Sequence, residues 1–427
     1  MVSKSARNHK RESDRSARRV GDLSSGKSSS VTNGESDRAA ILWYSNSPTA
    51  ATGYGQQTEQ VTKRLLADGH AIAISSNYGY EGGSPKDFDG IITYPRGYEP
   101  YSNDVVTAHA QHWRMLNEGL KPMLVTLFDV WVLKGKMWAE HIVHSWVPID
   151  HTPCPPEVLN WVKRPNVRPI AMSRHGQTML AREGVESIYI PHAIEKVYQP
   201  TPTFKDDRGD LLTGNELMGI TEDRFIVMMN SANKGVLPNR KSFGEAMLGF
   251  SIFAASHPDA MLYIHTEDIG MMGGINLRKL ISALALEDKV VFADQYALRL
   301  GYPKEALAAI YSAADVLLAP SMGEGFGIPV IEAQACGTPV IVSNATAQPE
   351  LLGDGWLVDG QPFWNSTQNA WLHMPSVPSI VSALNEAYAR GKGTSQKAVD
   401  FAAQFDADKV YDELWRPLIR SYLAESA

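Results

Sequence analysis

Residues 315–341 constrain the architecture of this chain more than any other segment. An apolar run at 315–320 leads into SMGEGFGIPVIEAQACGTPVI (321–341), in which Gly323, Gly325 and Gly327 precede a helical stretch with Pro329 in its first turn. Glycine permits a sharp turn and a close backbone approach, and Pro329 suits a first helical turn because its missing N–H would have no partner there. The segment therefore reads as strand, glycine loop, helix and strand, the repeating unit of an α/β sheet. Such a loop presents free backbone N–H groups and the positive end of a helix, which together suit a phosphate.

The same alternation runs through most of the chain. Short apolar runs predict buried strands at 41–44, 71–75, 123–127, 145–149, 169–172 and 188–190, with helices at 55–67 and 104–117. A second series places strands at 225–229, 261–264, 290–292, 316–319 and 340–342, helices at 242–256, 277–284 and 304–312, and a mainly helical end after Pro378. The stretch 200–221, with Pro202, Gly209 and Gly214, breaks the periodicity and reads as a connection between domains. The 427 residues suit two domains of roughly 150 to 200 residues each. The expectation is a tail at 1–38, a Rossmann-like domain at 39–203, a second at 204–405, and a C-terminal helix at 406–427 whose candidate partner is the first domain. Two doubly wound sheets facing each other place a ligand in the cleft beyond their carboxyl ends.

Composition narrows the setting. At 44% hydrophobic and 20% charged residues the chain is globular. Its two cysteines, Cys154 and Cys336, exclude a disulfide framework and a CxxC knuckle and fit a reducing compartment. No apolar run approaches the roughly 18 residues needed to span a bilayer, and the basic N-terminus has no apolar stretch behind it, so a cytoplasmic protein without a membrane span is expected. Residues 1–38 carry nine Lys/Arg against five acids, leaving −11 of the total −7 on the remainder. This serine-rich segment has too few apolar residues to offset its ordering entropy and is expected to be disordered. A solvated leader is its commoner meaning; contact with nucleic acid or another anionic surface is the functional alternative.

Glu324 in the glycine loop and Glu332 in the helix after it can reach the same mouth of the sheet. Carboxylates repel phosphate, so they suit hydroxyl groups, such as those of a sugar ring and a ribose diol. As a bare pair they would be two solvated glutamates on a turn; the three glycines, Pro329 and the following Ala-x-Ala-Cys-Gly-Thr-Pro-Val-Ile strand entry outweigh that reading.

With Tyr311-Ser-Ala-Ala-Asp-Val, Pro320-Ser, Glu324-Gly-Phe-Gly-Ile-Pro, Glu332-Ala, Cys336-Gly-Thr-Pro-Val-Ile and Pro349-Glu-Leu, the chain resembles the donor-binding half of retaining GT-B glycosyltransferases, glycosyltransferase family 4 (glycosyl transferases group 1) in particular. The resemblance implies a GT-B fold, with an acceptor side at 39–203 and a nucleotide-sugar donor side at 204–405. It implies that Glu324 and the backbone of Gly325, Phe326 and Gly327, with Ser321 and Ile328 beside them, hold the donor sugar and its phosphates, and that Glu332 holds the ribose hydroxyls. Arg240 and Lys241 occupy the place of the family's diphosphate clamp, although the segment departs from the commoner Gly-Arg-Leu pattern and Lys234 competes for the role. Without the family, a basic pair at a helix start opposes the helix dipole.

Gly53-Tyr54-Gly55 follows the first predicted strand and resembles the family's first glycine loop, under the donor phosphate. As a dinucleotide fingerprint it fails, since Thr58 stands where the third glycine belongs. His151, in Pro148-Ile-Asp-His-Thr-Pro, stands where related enzymes place a histidine near the donor sugar, and Asp150 and Asp129 are strand-end acids on the acceptor side. Ser173 and 191–195 look like the family's segments closing the first domain, with architectural roles. Asp87-Phe-Asp89 spells a metal-binding DxD but sits in a Gly- and Pro-rich stretch, and reads as a turn. His141 and His144 have helical spacing without a third ligand, so neither pair is expected to hold a metal.

The expected activity is metal-independent, cofactor-free transfer of a sugar from a nucleotide-diphosphate donor, UDP-glucose being the type expected, to an acceptor hydroxyl, with retention implied by the resemblance. The acceptor stays open among hydroxymethylated DNA, glycan, protein and small molecule, and the oligomeric state is not specified. The alternatives are a catalytically silent sugar-nucleotide-binding scaffold and a sugar-nucleotide epimerase of the same fold.

Overall fold

The computed structural model describes residues 37–236, 238–271 and 273–425. The basic leader expected at 1–38 lies outside them except for Asp37 and Arg38. Eight strands form the first sheet: β1 Ala39–Ser45, β2 Ala71–Ser76, β3 Lys86–Phe88, β4 Ile91–Tyr94, β5 Lys121–Leu127, β6 Val143–Val147, β7 Val167–Ala171 and β8 Ile188–Tyr189. Their order is β3-β4-β2-β1-β5-β6-β7-β8, parallel except for the β3–β4 pair. The strand expected at 145–149 is β6, which ends at Val147 because Pro148 has no N–H to offer the ladder. β3 and β4 were not expected: β3 is exposed throughout, and four residues of β4 are too few for a pattern to register.

The supposed connection at 200–221 is structured. β9 Thr203–Lys205 and β10 Leu211–Thr213 form an antiparallel hairpin. Its turn is closed by the Asp206 carboxylate, which accepts the N–H groups of Arg208 at 2.9 Å and Asp210 at 2.8 Å. Helix Gly214–Met218 follows with a capping box between Thr213 and Glu216.

The second sheet holds β11 Phe225–Asn230, β12 Ala260–His265, β13 Val290–Phe292, β14 Val316–Ala319, β15 Val340–Ser343 and β16 Gly355–Val358, all parallel, in the order β13-β12-β11-β14-β15-β16. Counted from its own first strand this is the doubly wound 3-2-1-4-5-6 order. The predicted helices appear at Phe243–Ser256, Leu277–Ala283 and Lys304–Ala313. An unexpected antiparallel hairpin, β17 Gly360–Asn365 and β18 Ala370–Pro375, follows β16.

One buried cluster lines the far face of each sheet, and a third is shared: Trp43 and Trp146 of the first sheet, Val342 of the second, Ile331 of the helix Ile328–Ala335, and Trp415 near the C-terminus belong to it. The Trp415 ring lies 5.4 Å from that of Trp43 and 5.0 Å from that of Trp146. Around it, Asp68 accepts two bonds from Arg416, at 2.7 and 3.0 Å, and one from the Tyr411 hydroxyl at 2.9 Å. Lys121 Nζ donates to the carbonyls of Tyr422 and Glu425, both at 2.6 Å, closing the C-terminal end of helix Arg416–Ala424. The last helix is thus sewn onto the first sheet. Trp415→Ala should destabilise the protein by about 3–5 kcal/mol through the cavity it leaves, read as a lowered denaturation midpoint; an unchanged midpoint would show that this seam contributes little.

Candidate functional site

Each sheet reverses its strand order once, between β1 and β5 in the first and between β11 and β14 in the second. At such switch points the loops after adjacent strands diverge and open a crevice. The loop after β1 leads into helix Gly53–Ala67, capped by Thr52, whose Oγ1 accepts the Gly55 N–H at 3.1 Å. Asp129 follows β5, and Asp150 and His151 lie just past β6. In the second sheet, β11 is followed by the segment carrying Arg240 and Lys241, and β14 by the glycine loop that enters helix Ile328–Ala335.

The glycines of that loop have a reason beyond ligand approach. A side-chain carbon on Gly323 would collide with the Asp150 carbonyl, and one on Gly325 with Pro148. Gly327 has φ 129°, a conformation other residues rarely adopt. The loop of the second sheet therefore lies flush against the end of β6, and Ile328 Cδ1 would stand 3.0 Å from a side-chain carbon on Gly53.

Glu324 is nearly buried and its carboxylate is shared by Lys241 and by Arg240, the latter at 3.1 Å. Arg240 also donates to the Gly323 carbonyl and lies 3.6 Å from Asp150. Burial alone would raise the Glu324 carboxyl, but Lys241 and Arg240 outweigh it and hold it down at about 2. Of the competing cations, Arg240 and Lys241 touch Glu324, whereas Lys234 is exposed. Ser321 is buried near the Glu324 carboxylate and favours its ionised form, and the Glu324 N–H donates to Thr346 Oγ1 at 2.9 Å. Tyr54 packs against Phe128 and His192 within the field of Asp129, Asp150, Arg240 and Glu324. Phe326 turns its ring into the core against His192 and Phe405, so only its backbone can face a ligand.

Glu332 is held elsewhere. It is 3% exposed, receives the Tyr311 hydroxyl at 3.0 Å and Gln56 Nε2 at 3.3 Å, and has beside it the Tyr198 hydroxyl, which Gln56 Nε2 also bonds at 3.1 Å. Tyr311 is in turn fixed by Asn230 Nδ2 at 2.7 Å. The two glutamates thus sit in different settings, Glu324 among cations and Glu332 among neutral donors. Gln56 and Tyr198, which complete the second setting, carry no signal of that role in the sequence.

His151 Nδ1 is 2.6 Å from Asp150 Oδ1, its Nε2 is 3.0 Å from Asn365 Nδ2 at the end of β17, and its carbonyl is 3.0 Å from His175 Nε2. Asn365 lies 214 positions along the chain from His151 and in a hairpin with no recognisable motif, so nothing in the sequence links them. Ser173 caps helix Arg174–Arg182 through the Gly176 N–H, and His192 is buried among Tyr54, Trp146 and Phe326. Asp87 belongs to β3 and accepts the Gly90 N–H at 2.7 Å across a tight hairpin turn. His144 lies on β6, a strand rather than a helix, with its ring against Tyr422. Among the described residues no group of three or more His, Cys, Asp or Glu side chains is placed to hold a metal.

Residues 254–371 match the family model Glycosyl transferases group 1. The O-antigen chain mannosyltransferase RfbU of Salmonella typhimurium is 36% identical over 152 residues, which are 36% of this chain and 36% of that protein. The alignments span only 16 to 36% of the length of the curated relatives they match. Among solved structures, the sucrose-phosphate synthase of Thermosynechococcus elongatus superposes with a TM-score of 0.66 at 16% identity, covering 90% of this chain and 100% of that one. The Anabaena protein HepE, solved with UDP and glucose, superposes with a TM-score of 0.59 at 15% identity, covering 91% of this chain and 98% of that one. These likenesses establish the GT-B architecture of two parallel α/β domains.

The two strand-end acids of the first sheet, Asp129 and Asp150, are pushed apart. Burial, and then the charge of Asp150, raise the Asp129 carboxyl to about 6. Burial would raise Asp150 too, but the His151 hydrogen bond and Arg240 hold it well below the ordinary carboxylate range. Asp129 binds a proton more tightly folded than unfolded, so its ionisation costs the folded state nothing below the unfolded value and is felt in full above about 6. Asp129→Asn should therefore stabilise the protein at pH 8, by at most about 3 kcal/mol, with the gain vanishing towards pH 4. Thermal unfolding at the two pH values checks this; equal effects at both would refute it.

Proposed function

We propose that this chain, a GT-B protein whose second domain carries the glycosyl transferases group 1 segment, transfers a sugar from a nucleotide-diphosphate donor to an acceptor hydroxyl with retention and without a metal. The observation that carries the reading is Glu324 held between Arg240 and Lys241, opposite Asp150 and His151. In the bound state the diphosphate takes over the two cations, and Glu324, released from them, accepts hydroxyl bonds from the donor sugar. The loop N–H groups of Gly325, Phe326 and Gly327 and the start of helix Ile328–Ala335 face the phosphates. The donor is a UDP-sugar, a reading supported by HepE, a structural neighbour solved with UDP.

As the bond from the anomeric carbon to the leaving phosphate oxygen breaks, negative charge grows on that phosphate, and Arg240 and Lys241 stabilise it more than they stabilise the ground state. The acceptor oxygen bonds to the anomeric carbon on the face the phosphate leaves, and its proton passes to the departing phosphate oxygen. No protein nucleophile is needed. Asp129 and Asp150 lie on the first-domain side, where they orient the acceptor hydroxyl. Glu332 binds the ribose diol, whose two hydroxyls replace the donors that Gln56 and Tyr311 now supply.

Incubating the protein with UDP-, GDP- and ADP-sugars and following nucleotide release tests the reading, since a silent binder releases none and an epimerase yields a new nucleotide sugar instead. Glu324→Gln should lower turnover by about 10²-fold while binding free UDP at least as tightly, because it frees both cations. Glu332→Ala should chiefly weaken nucleotide binding. Negligible effects from both, measured by calorimetry and steady-state kinetics, would sink the assignment.

A further inference from the structure

We propose that Asn365 is a positioning residue for His151, holding the imidazole proton on Nδ1 and presenting Nε2 to the cleft as a hydrogen-bond acceptor; the functional meaning rests on the transferase reading above. The orientation of the Asn365 amide is settled by its other contact: its Oδ1 accepts the Thr367 N–H at 3.1 Å. Its Nδ2 therefore points at His151 Nε2, 3.0 Å away. An amide nitrogen can only donate, so Nε2 must offer its lone pair, and the ring proton must sit on Nδ1. There it meets Asp150 Oδ1 at 2.6 Å, a carboxylate kept ionised beside Arg240. Both ring nitrogens are assigned, one by a carboxylate and one by an amide.

The hairpin that carries Asn365 is anchored for this purpose at the site itself. Thr152 and Trp371 exchange two backbone hydrogen bonds, of 3.0 and 2.9 Å, and the His373 N–H donates to the Met322 carbonyl at 2.8 Å. Trp364 and Trp371 stand opposite each other across the strands with ring centroids 5.0 Å apart, a cross-strand pair that stiffens a two-stranded ribbon. Residues 364, 371 and 373 share one face of the hairpin and Asn365 the other, by the alternation of a strand. The remaining titratable neighbours of His151 are Asp150 on its own loop, His175 from helix Arg174–Arg182 and Arg240 beside Asp150. A substrate hydroxyl reaching Nε2 donates into the bond the amide now fills, so Asn365 reserves that position for a donor.

Asn365→Asp isolates this role. One carboxylate oxygen still accepts the Thr367 N–H, while the other turns an acceptor towards Nε2 and demands a proton there. Nitrogen-15 spectra of the imidazoles, with His151 assigned by its loss in His151→Gln, should show Nδ1 protonated in the wild type and Nε2 protonated in the variant. The kcat of the variant should fall about tenfold or more, with little change in KM for the donor, and should recover as pH rises and the added proton leaves. Nε2 protonation in the wild type, or an unchanged tautomer, kcat and pH profile in Asn365→Asp, would overturn the proposal. The spectra need no turnover: if no sugar donor reacts, the transferase reading fails while the tautomer still decides the role of Asn365.

Discussion

A single guanidinium sets the terms for the rest of the site. Arg240 donates to the Gly323 carbonyl and to Glu324, and it stands 3.6 Å from Asp150 at the end of a strand in the opposite sheet. Its side chain is 34% exposed, and removing it would leave the more deeply buried Glu324 carboxylate short of a partner. From this follow the ionised state of Glu324 and Asp150 and the orientation of the imidazole next to Asp150, while burial and the charge of Asp150 push Asp129 the other way. The glycines supply the clearance: with any side chain at 323 or 325 the loop could not come close enough for Arg240 to serve both sheets.

In this structure the polar groups of the site satisfy one another. Glu324 has its cations, Glu332 its hydroxyl and amide donors, and His151 a partner at each nitrogen. A ligand entering such a site exchanges hydrogen bonds rather than adding them, and exchange of like for like is nearly neutral in free energy. Discrimination then comes from mismatches, because a ligand that displaces a donor without replacing it leaves a buried acceptor unpaired, at a cost of about 1–3 kcal/mol.

Much of this was legible in the sequence because the signals were local. The glycine loop, the helix opened by Pro329 and the apolar runs of β1, β2, β5 and β11 to β15 each announce themselves within a few residues. What stayed hidden depends on chain segments meeting across long separations. In the sequence the glycines suggest room for a ligand, whereas in the fold two of them also make room for Pro148 and Asp150. Gln56, Tyr198 and Asn365 are ordinary polar residues until the fold places them beside Glu332 and His151. The short strands β3 and β4 and the β9–β10 and β17–β18 hairpins offer too little hydrophobic alternation to stand out from loops.

The return of the chain to its starting sheet gives the molecule a nested topology. Trp415 fills the space between Trp43 and Trp146, and Lys121 ties down the helix that follows, so the first domain is completed only by residues from the far end of the chain. In folding terms the second sheet is a guest spliced into a host. A fragment ending near residue 203 would leave a tryptophan-lined trough open to water. The host cannot be finished before the guest has been made, which binds the assembly of the two halves of the cleft into one event.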